Sequence, residues 1–219
     1  MNKIYSAIFA TTIVSASLLS GCQLLTGYQK IDRAENADKW SGKIYPVANE
    51  VNIACLGTYH CEITRIDQTR VISSETHLPV DMTMVTTTPN TKEVSSLRDN
   101  KSLKIVPLSA SGIAGLTNYY ARAKPIKREV HVSFYPEDNL DYVERFAIIH
   151  DFVAATYQIR AYPMKSSQDT KSLLDNASPN PLCVDLIQDG SIERRFCKQA
   201  GTERRGEFVE TGVFDSTES

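Results

Sequence analysis

A mainly β, sandwich-like domain with two disulfide-closed hairpins, set behind a flexible tether, is the fold class predicted here, and three observations point to it. Beyond residue 50 apolar and polar residues alternate in short runs bounded by turn residues, the pattern of half-buried strands. Four cysteines fall in two pairs, Cys55 with Cys61 and Cys183 with Cys197, at separations that suit hairpins. No internal repeat or low-complexity segment competes with that pattern. With 219 residues, 42% hydrophobic and 23% charged, the composition is that of an ordinary folded protein and excludes collagenous and disordered classes. The 24 Lys and Arg against 26 Asp and Glu leave a net charge of -2. That lacks the basic excess of a dedicated nucleic-acid binder, so no nucleic-acid partner is expected.

The chain opens with Lys3 and an uncharged, largely apolar stretch from Ile4 to Ser20. Thr11, Thr12, Ser15 and Ser17 interrupt it, so it suits an export signal better than a permanent span, which needs roughly 20 apolar residues. It closes on Leu19-Ser20-Gly21-Cys22, which resembles the lipobox of bacterial lipoproteins. The resemblance implies cleavage after Gly21, a diacylglyceryl thioether on Cys22 and acylation of the new amino terminus, making membrane lipid the first partner. At about 0.8 kcal/mol per buried methylene, several acyl chains on one residue would make release rare. Gln23 and Leu24 follow without the Asp that retains enterobacterial lipoproteins at the inner membrane. The resemblance therefore points to the periplasmic face of the outer membrane. On this reading residues 1–21 are a signal peptide and 22–48 a lipidated terminus and polar tether, with Trp40 docking its end. Residues 49–213 form one β-rich periplasmic domain and 214–219 a disordered tail.

Lipidation of Cys22 resolves the odd count of five cysteines and leaves four in an oxidising compartment, where pairing is the default. Four allow three connectivities; the spacing favours the local one. In a hairpin with Cys55 facing Cys61, Ile53 faces Ile63 and Val51 faces Arg65. With Cys183 opposite Cys197, Val184 meets Phe196, Asp185 meets Arg195, Ile187 meets Glu193, and Asp189-Gly190-Ser191 is left as the turn. The chain-entropy treatment makes the longer loop worth about 3 kcal/mol and the shorter roughly 2.4 kcal/mol. A competing metal site would use the Cys61 thiolate with its neighbour His60. The spacings are not those of zinc fingers, and oxidised cysteines do not ligate, so no metal and no cofactor are expected.

Along the domain, Cys61 to Ile66 alternates cleanly, as do parts of Arg70 to Ser73 and Met82 to Thr88. Leu103, Ile105, Val106 and Leu108 indicate a strand, and Ile113 to Tyr120 fits a turn of helix or a strand. Val130 to Tyr135 reads as a strand ended by Pro136, and Tyr157 to Pro163 as another. Asp141 to Val153 is ambiguous: Tyr142, Phe146, Ile149 and Val153 fall at helical spacing, whereas Phe146, Ile148, His150 and Phe152 share one strand face. Val130 to Tyr135, Arg145 to Phe152 and Ala154 to Arg160 resemble three pieces of a small β-module of uncharacterised Gram-negative envelope lipoproteins. That resemblance favours a strand for the middle piece, with Ala155 standing where the module has its turn glycine. Glu203 to Val209 follows the last hairpin.

Motifs for a nucleophile elbow, a Ser-x-x-Lys pair, a His-Glu-x-x-His zinc site or a phosphate-binding glycine loop are missing. His131, Ser133, His150 and Asp151 do not make a triad, because His150 and Asp151 point to opposite faces of one strand. No catalytic residue is therefore expected, and His150 is expected to be half-buried. The densest basic group, Arg122, Lys124, Lys127 and Arg128 beside Tyr119 and Tyr120, is a candidate patch for an anionic partner. The expected function is a non-catalytic structural or protein-interaction role for an outer-membrane-anchored lipoprotein with an envelope protein partner. The alternatives are an accessory lipoprotein of a secretion or surface-polymer assembly, and an envelope hydrolase or ligand carrier.

Overall fold

The computed structural model describes residues 44–86, 96–164, 182–198 and 206–213. Residues 1–21, expected to be a signal peptide, Cys22, Trp40 and the expected tail 214–219 lie outside them. Among the described residues eleven strands run β1 Val51–Leu56, β2 His60–Ile66, β3 Thr69–Arg70, β4 Lys104–Ala110, β5 Thr117–Ala123, β6 Lys127–Tyr135, β7 Glu144–Asp151, β8 Thr156–Pro163, β9 Leu182–Gln188, β10 Ser191–Lys198 and β11 Phe208–Thr211. They form a seven-stranded sheet ordered β11-β10-β9-β8-β1-β5-β4 and a four-stranded sheet ordered β3-β2-β6-β7. The pairing of β1 with β8 is parallel and the other pairings are antiparallel. Among the described residues no helix is long and apolar enough to cross a membrane.

The mainly β class and both expected disulfides are present. Period-two alternation sets the core. Val130, Val132 and Phe134 of β6 and Phe146 and Ile148 of β7 face Ile53 of β1, Ile105 of β4, Tyr157 and Ile159 of β8 and Val184 and Leu186 of β9 in one buried cluster. Residues 144–151 are thus a strand, paired with β6 from Lys127↔Asp151 to Phe134↔Glu144. Phe146 packs on Phe196 and Phe208 with ring centroids 5.2 Å apart in each case, which carries the core out to β10 and β11. Residues 113–120, read as helix or strand, resolve into a loop and the start of β5. Ala155 is not among the positive-φ residues; its carbonyl accepts from Asn52 N at 3.0 Å.

The expected Cys55–Cys61 ladder is replaced by a different geometry. β1 pairs with β5 and β8, while β2 pairs with β3 and β6, so Ile53 and Ile63 are not cross-strand partners. The disulfide joins the two sheets, with Cα atoms 5.9 Å apart. The reason lies at Gly57, where φ is +97° and a Cβ would sit 1.9 Å from the Ala161 carbonyl oxygen. The chain can leave the large sheet this close to β8 only with no side chain there.

The second hairpin keeps the expected register at Cys183↔Cys197, Val184↔Phe196 and Asp185↔Arg195, then shifts at a bulge between Ile192 and Arg194. Ile187 therefore meets Ile192 rather than Glu193, and Gln188 meets Ser191. The turn shrinks to Asp189-Gly190, both at positive φ (46° and 92°), the two-residue type I′ geometry whose twist fits a hairpin. The displaced residue reappears as the bulge. Two other expected alternating runs also differ, and Thr87 and Thr88 at the end of the second lie outside the described residues. Near Arg70 to Ser73 only Thr69–Arg70 is strand, with a single bridge from Ile72 to Pro79. Met82–Met84 is a 3-10 turn, because Asp81 caps it by accepting from Thr83 N at 2.8 Å and Thr83 Oγ1 at 2.7 Å. Those bonds hold the Asp81 carboxyl below its usual pKa.

Gly57→Ala is expected to destabilise the domain by on the order of 3 kcal/mol or more, since it combines backbone strain with a backbone clash. Gly190→Ala, at positive φ but with open space around it, is expected to cost only about 1 kcal/mol. Urea unfolding midpoints of the two variants check the difference.

Candidate functional site

Strand alternation puts Cys61 and Ile63 into the core and turns the neighbouring His60 and Glu62 to the other face of the small sheet. Both are nonetheless buried, at 1% and 3% exposure. Tyr135 is the cross-strand partner of His60, with their ring centroids 5.4 Å apart. The loop after β3 folds back over this face. Ser73 N bonds to the Leu78 carbonyl at 2.9 Å and His77 N to the Ser73 carbonyl at 2.8 Å, and His77 takes φ 58°, a conformation tolerated several-fold more often by His than by most residues. That loop delivers the His77 ring against Glu62 and Tyr135, 5.6 Å from the Tyr135 centroid.

The groups meet on one carboxylate. Glu62 Oε1 lies 2.9 Å from His60 Nε2 and 2.7 Å from His77 Nδ1, and Tyr135 OH donates to Oε2 at 3.3 Å. The other His60 nitrogen, Nδ1, lies 3.1 Å from Asn118 Oδ1. Asn118 is held in that orientation because its Nδ2 donates to Ser109 Oγ at 3.3 Å and to the Ala110 carbonyl at 3.4 Å. Burial and the Glu62 charge push the Tyr135 phenol above its usual pKa, so it stays a donor. The donor atoms of His60, Glu62 and His77 all lie within 4.8 Å of one another, an arrangement that could hold a cation. The disulfide has taken the Cys61 thiolate out of any such set.

The four cations of the expected patch are not assembled as an open surface. Arg122 is 2% exposed, and its Nε and Nη2 donate to Glu50 Oε2 at 2.9 and 2.7 Å. Glu50 Oε1 accepts from Leu97 N at 2.6 Å. Arg128 is 3% exposed and bonds Asp67 Oδ2 at 2.6 Å and the Asn100 carbonyl at 2.7 Å. Lys127 is exposed and Lys124 half-buried.

His150 is half-buried against Phe152 and Tyr157, with centroids 4.8 and 5.5 Å away. The Glu193 carboxylate lies 3.5 Å from its Nε2 without making a hydrogen bond. Burial lowers the His150 pKa, against the opposing charge of Glu193. His131 is engaged elsewhere, by Glu129 Oε1 at 2.5 Å and by Arg65. Between the sheets the cavity lined by Ile63, Val71, Ile105 and Ala121 measures about 10 Å³, room for about one water.

His60 was visible in the sequence; Glu62 and His77 were missed. The His60-x-Glu62 spacing on a recognised strand was the available signal for the first. No periodicity shows that residue 77 returns to residue 62. No family model matches the chain, and no curated protein or solved structure matches it.

Two outcomes test these assignments. Glu50→Ala is expected to cost about 3–5 kcal/mol by removing the carboxylate from a buried arginine, whereas Lys124→Ala with Lys127→Ala stays within about 0.5 kcal/mol per site; urea titrations measure both. A lowered folded-state pKa means that the unfolded chain binds more protons at His150. Its contribution is therefore fully present above pH 6.5 and lost as pH falls through the folded value. The stability difference between pH 7.5 and pH 5 is accordingly expected to be smaller in His150→Phe than in the unsubstituted protein.

Proposed function

We propose that the chain is an outer-membrane-anchored lipoprotein, held by lipid on Cys22, whose β domain serves a non-catalytic structural or protein-contact role at the periplasmic face of the envelope. The observation that carries this reading is the pair of closed disulfides, Cys55–Cys61 and Cys183–Cys197, behind the Leu19-Ser20-Gly21-Cys22 lipobox. Once Cys22 is lipidated every cysteine has a chemical fate, and each fate belongs to an exported protein. The small size of the cavity lined by Ile63, Val71, Ile105 and Ala121, about 10 Å³ among the described residues, supports contact through surfaces rather than enclosure of a ligand there. Leu78, Val80 and Met82 add an apolar stretch at 55%, 50% and 68% exposure, the kind of surface that protein partners cover.

Intact mass and membrane fractionation test the anchor. The protein purified from outer membranes is expected to lack residues 1–21, to carry lipid, and to gain four hydrogens on reduction of its two disulfides. Cys22→Ala is expected to move it out of the membrane fraction. An unlipidated product in the soluble fraction of cells making the unsubstituted protein overturns the proposal.

A further inference from the structure

We propose that His60 Nε2, Glu62 Oε1 and His77 Nδ1 bind one Zn²⁺ ion, which pins the loop after β3 onto the face of the small sheet. The inference is independent of the lipid anchor.

The first argument is how this fold neutralises its buried acids. Glu50 is paired with Arg122, Asp185 with Arg160 and Arg195, and Glu144 with Lys198. Glu62, 3% exposed, is the exception among the buried carboxylates of the described residues: its bonded partners are two imidazoles and a phenol. Burying a carboxylate is costly unless a positive centre faces it. Among the described residues no guanidinium or ammonium bonds Glu62, which leaves a proton on an imidazole or a bound cation to supply one.

The second argument is the orientation of His60. Its Nδ1 faces Asn118 Oδ1, and the two bonds made by Asn118 Nδ2 fix that amide with its oxygen toward the ring. A neutral His60 therefore carries its hydrogen on Nδ1 and presents the Nε2 lone pair to Glu62 Oε1. Two lone pairs 2.9 Å apart repel unless a second proton on the ring or a metal ion joins them. A ligating histidine characteristically donates its second N–H to an oxygen acceptor, and a ligating carboxylate is itself hydrogen-bonded. Asn118 and Tyr135 are those two supporting partners.

The donor set selects the metal. Two imidazoles and a carboxylate suit Zn²⁺, whereas Ca²⁺ and Mg²⁺ take oxygen ligands. Zinc bonds of about 2.0–2.1 Å place tetrahedral ligand atoms roughly 3.3 Å apart. The present spacings of 2.7 and 2.9 Å to Glu62 Oε1 have to open slightly, while the two imidazole nitrogens, which lie within 4.8 Å of each other, have to come to that separation, so binding requires the His77 ring to shift toward His60. His77, on its loop with a side chain 12% exposed, is the ligand that can move and the side from which an ion enters.

The test uses the mature protein with both disulfides formed, stripped with chelator and titrated with Zn²⁺ by calorimetry and elemental analysis. One equivalent is expected to bind, with a rise in Tm. Co²⁺ in its place is expected to give the visible absorption of a tetrahedral N/O site. His77→Asn preserves a residue that accepts positive φ and is expected to weaken Zn²⁺ binding at least 100-fold, as is Glu62→Gln. Asn118→Ala, which removes no ligand, is expected to weaken binding about 10-fold, and His131→Ala to leave it unchanged. Failure of the unsubstituted protein to take up Zn²⁺, or undiminished binding by His77→Asn, overturns the proposal. So does a nitrogen NMR spectrum showing N–H on both His60 nitrogens in the presence of equimolar Zn²⁺, since the cluster would then be a buried ion pair.

Discussion

The passage of the chain from one sheet to the other between Leu56 and His60 constrains the rest of the domain. β1 is an interior strand of the large sheet and β2 an interior strand of the small one, so a handful of residues fixes how the two layers meet. Gly57 lets the backbone pass against Ala161. Tyr59 then offers its carbonyl to Gly112 N at 2.7 Å and Ser111 Oγ at 3.2 Å, and Cys55 is bonded to Cys61 across the layers. Moving this crossing by one residue would turn His60 and Glu62 inward and Cys61 and Ile63 outward, because side chains alternate along a strand.

Charge is organised to the same plan. The faces that do not look into the core still bury acidic groups, and among the described residues Glu50 and Asp185 are met by guanidinium groups and Glu144 by an ammonium. Asp185, fully buried, accepts from Arg195 Nε at 2.7 Å and Nη2 at 3.0 Å, and from Arg160 and Tyr162 at 3.2 Å each. Burial, with the Asp185 charge beside it, pushes the Tyr162 phenol up to about 12, and the same carboxylate raises Arg195 through their hydrogen bonds. Such networks contribute less to net stability than their bond count suggests, since desolvation offsets much of the attraction. They do penalise any arrangement that separates the partners. The histidine pair at Glu62 departs from this habit, and that departure gives the cluster its chemical interest.

Local patterns were legible and their assembly was not. Alternation located β2, β6 and β8, a cluster of apolar residues from Leu103 to Leu108 indicated β4, and the Asp-Gly pair with the Cys183 and Cys197 spacing located the β9–β10 hairpin to within one bulge. The cysteine partners were legible from separation. That Cys55 and Cys61 belong to different sheets was not, because six residues of separation fit a hairpin as well as a crossing and the deciding contact, Ala161, lies far along the chain. Arg122 and Arg128 looked like a surface patch for the same reason: their partners Glu50 and Asp67 are distant in sequence. Asp81 misled more locally, by converting an alternating run into a capped turn. Glu62 and His77 joined no sequence hypothesis: the alternate spacing of His60 and Glu62 on β2 was a signal for the first, but nothing local brings residue 77 back to it.

The parallel pairing of β1 with β8 sets the order in which the domain can be completed. Ile53 lies beside Tyr157, so one edge of the first large-sheet strand waits for a segment roughly 100 residues downstream, a non-local closure of the sort that slows folding. Until β8 arrives, an apolar strand with Val51, Ile53 and Cys55 offers an unsatisfied hydrogen-bonding edge to whatever is near. A chain emerging amino terminus first would expose that edge while roughly 100 residues, about half of the chain, emerge between β1 and β8, and here the risk is aggregation more than instability. Assembly of this protein is therefore a matter of timing, and a factor that shields β1 until β8 arrives would raise the yield without touching the finished fold.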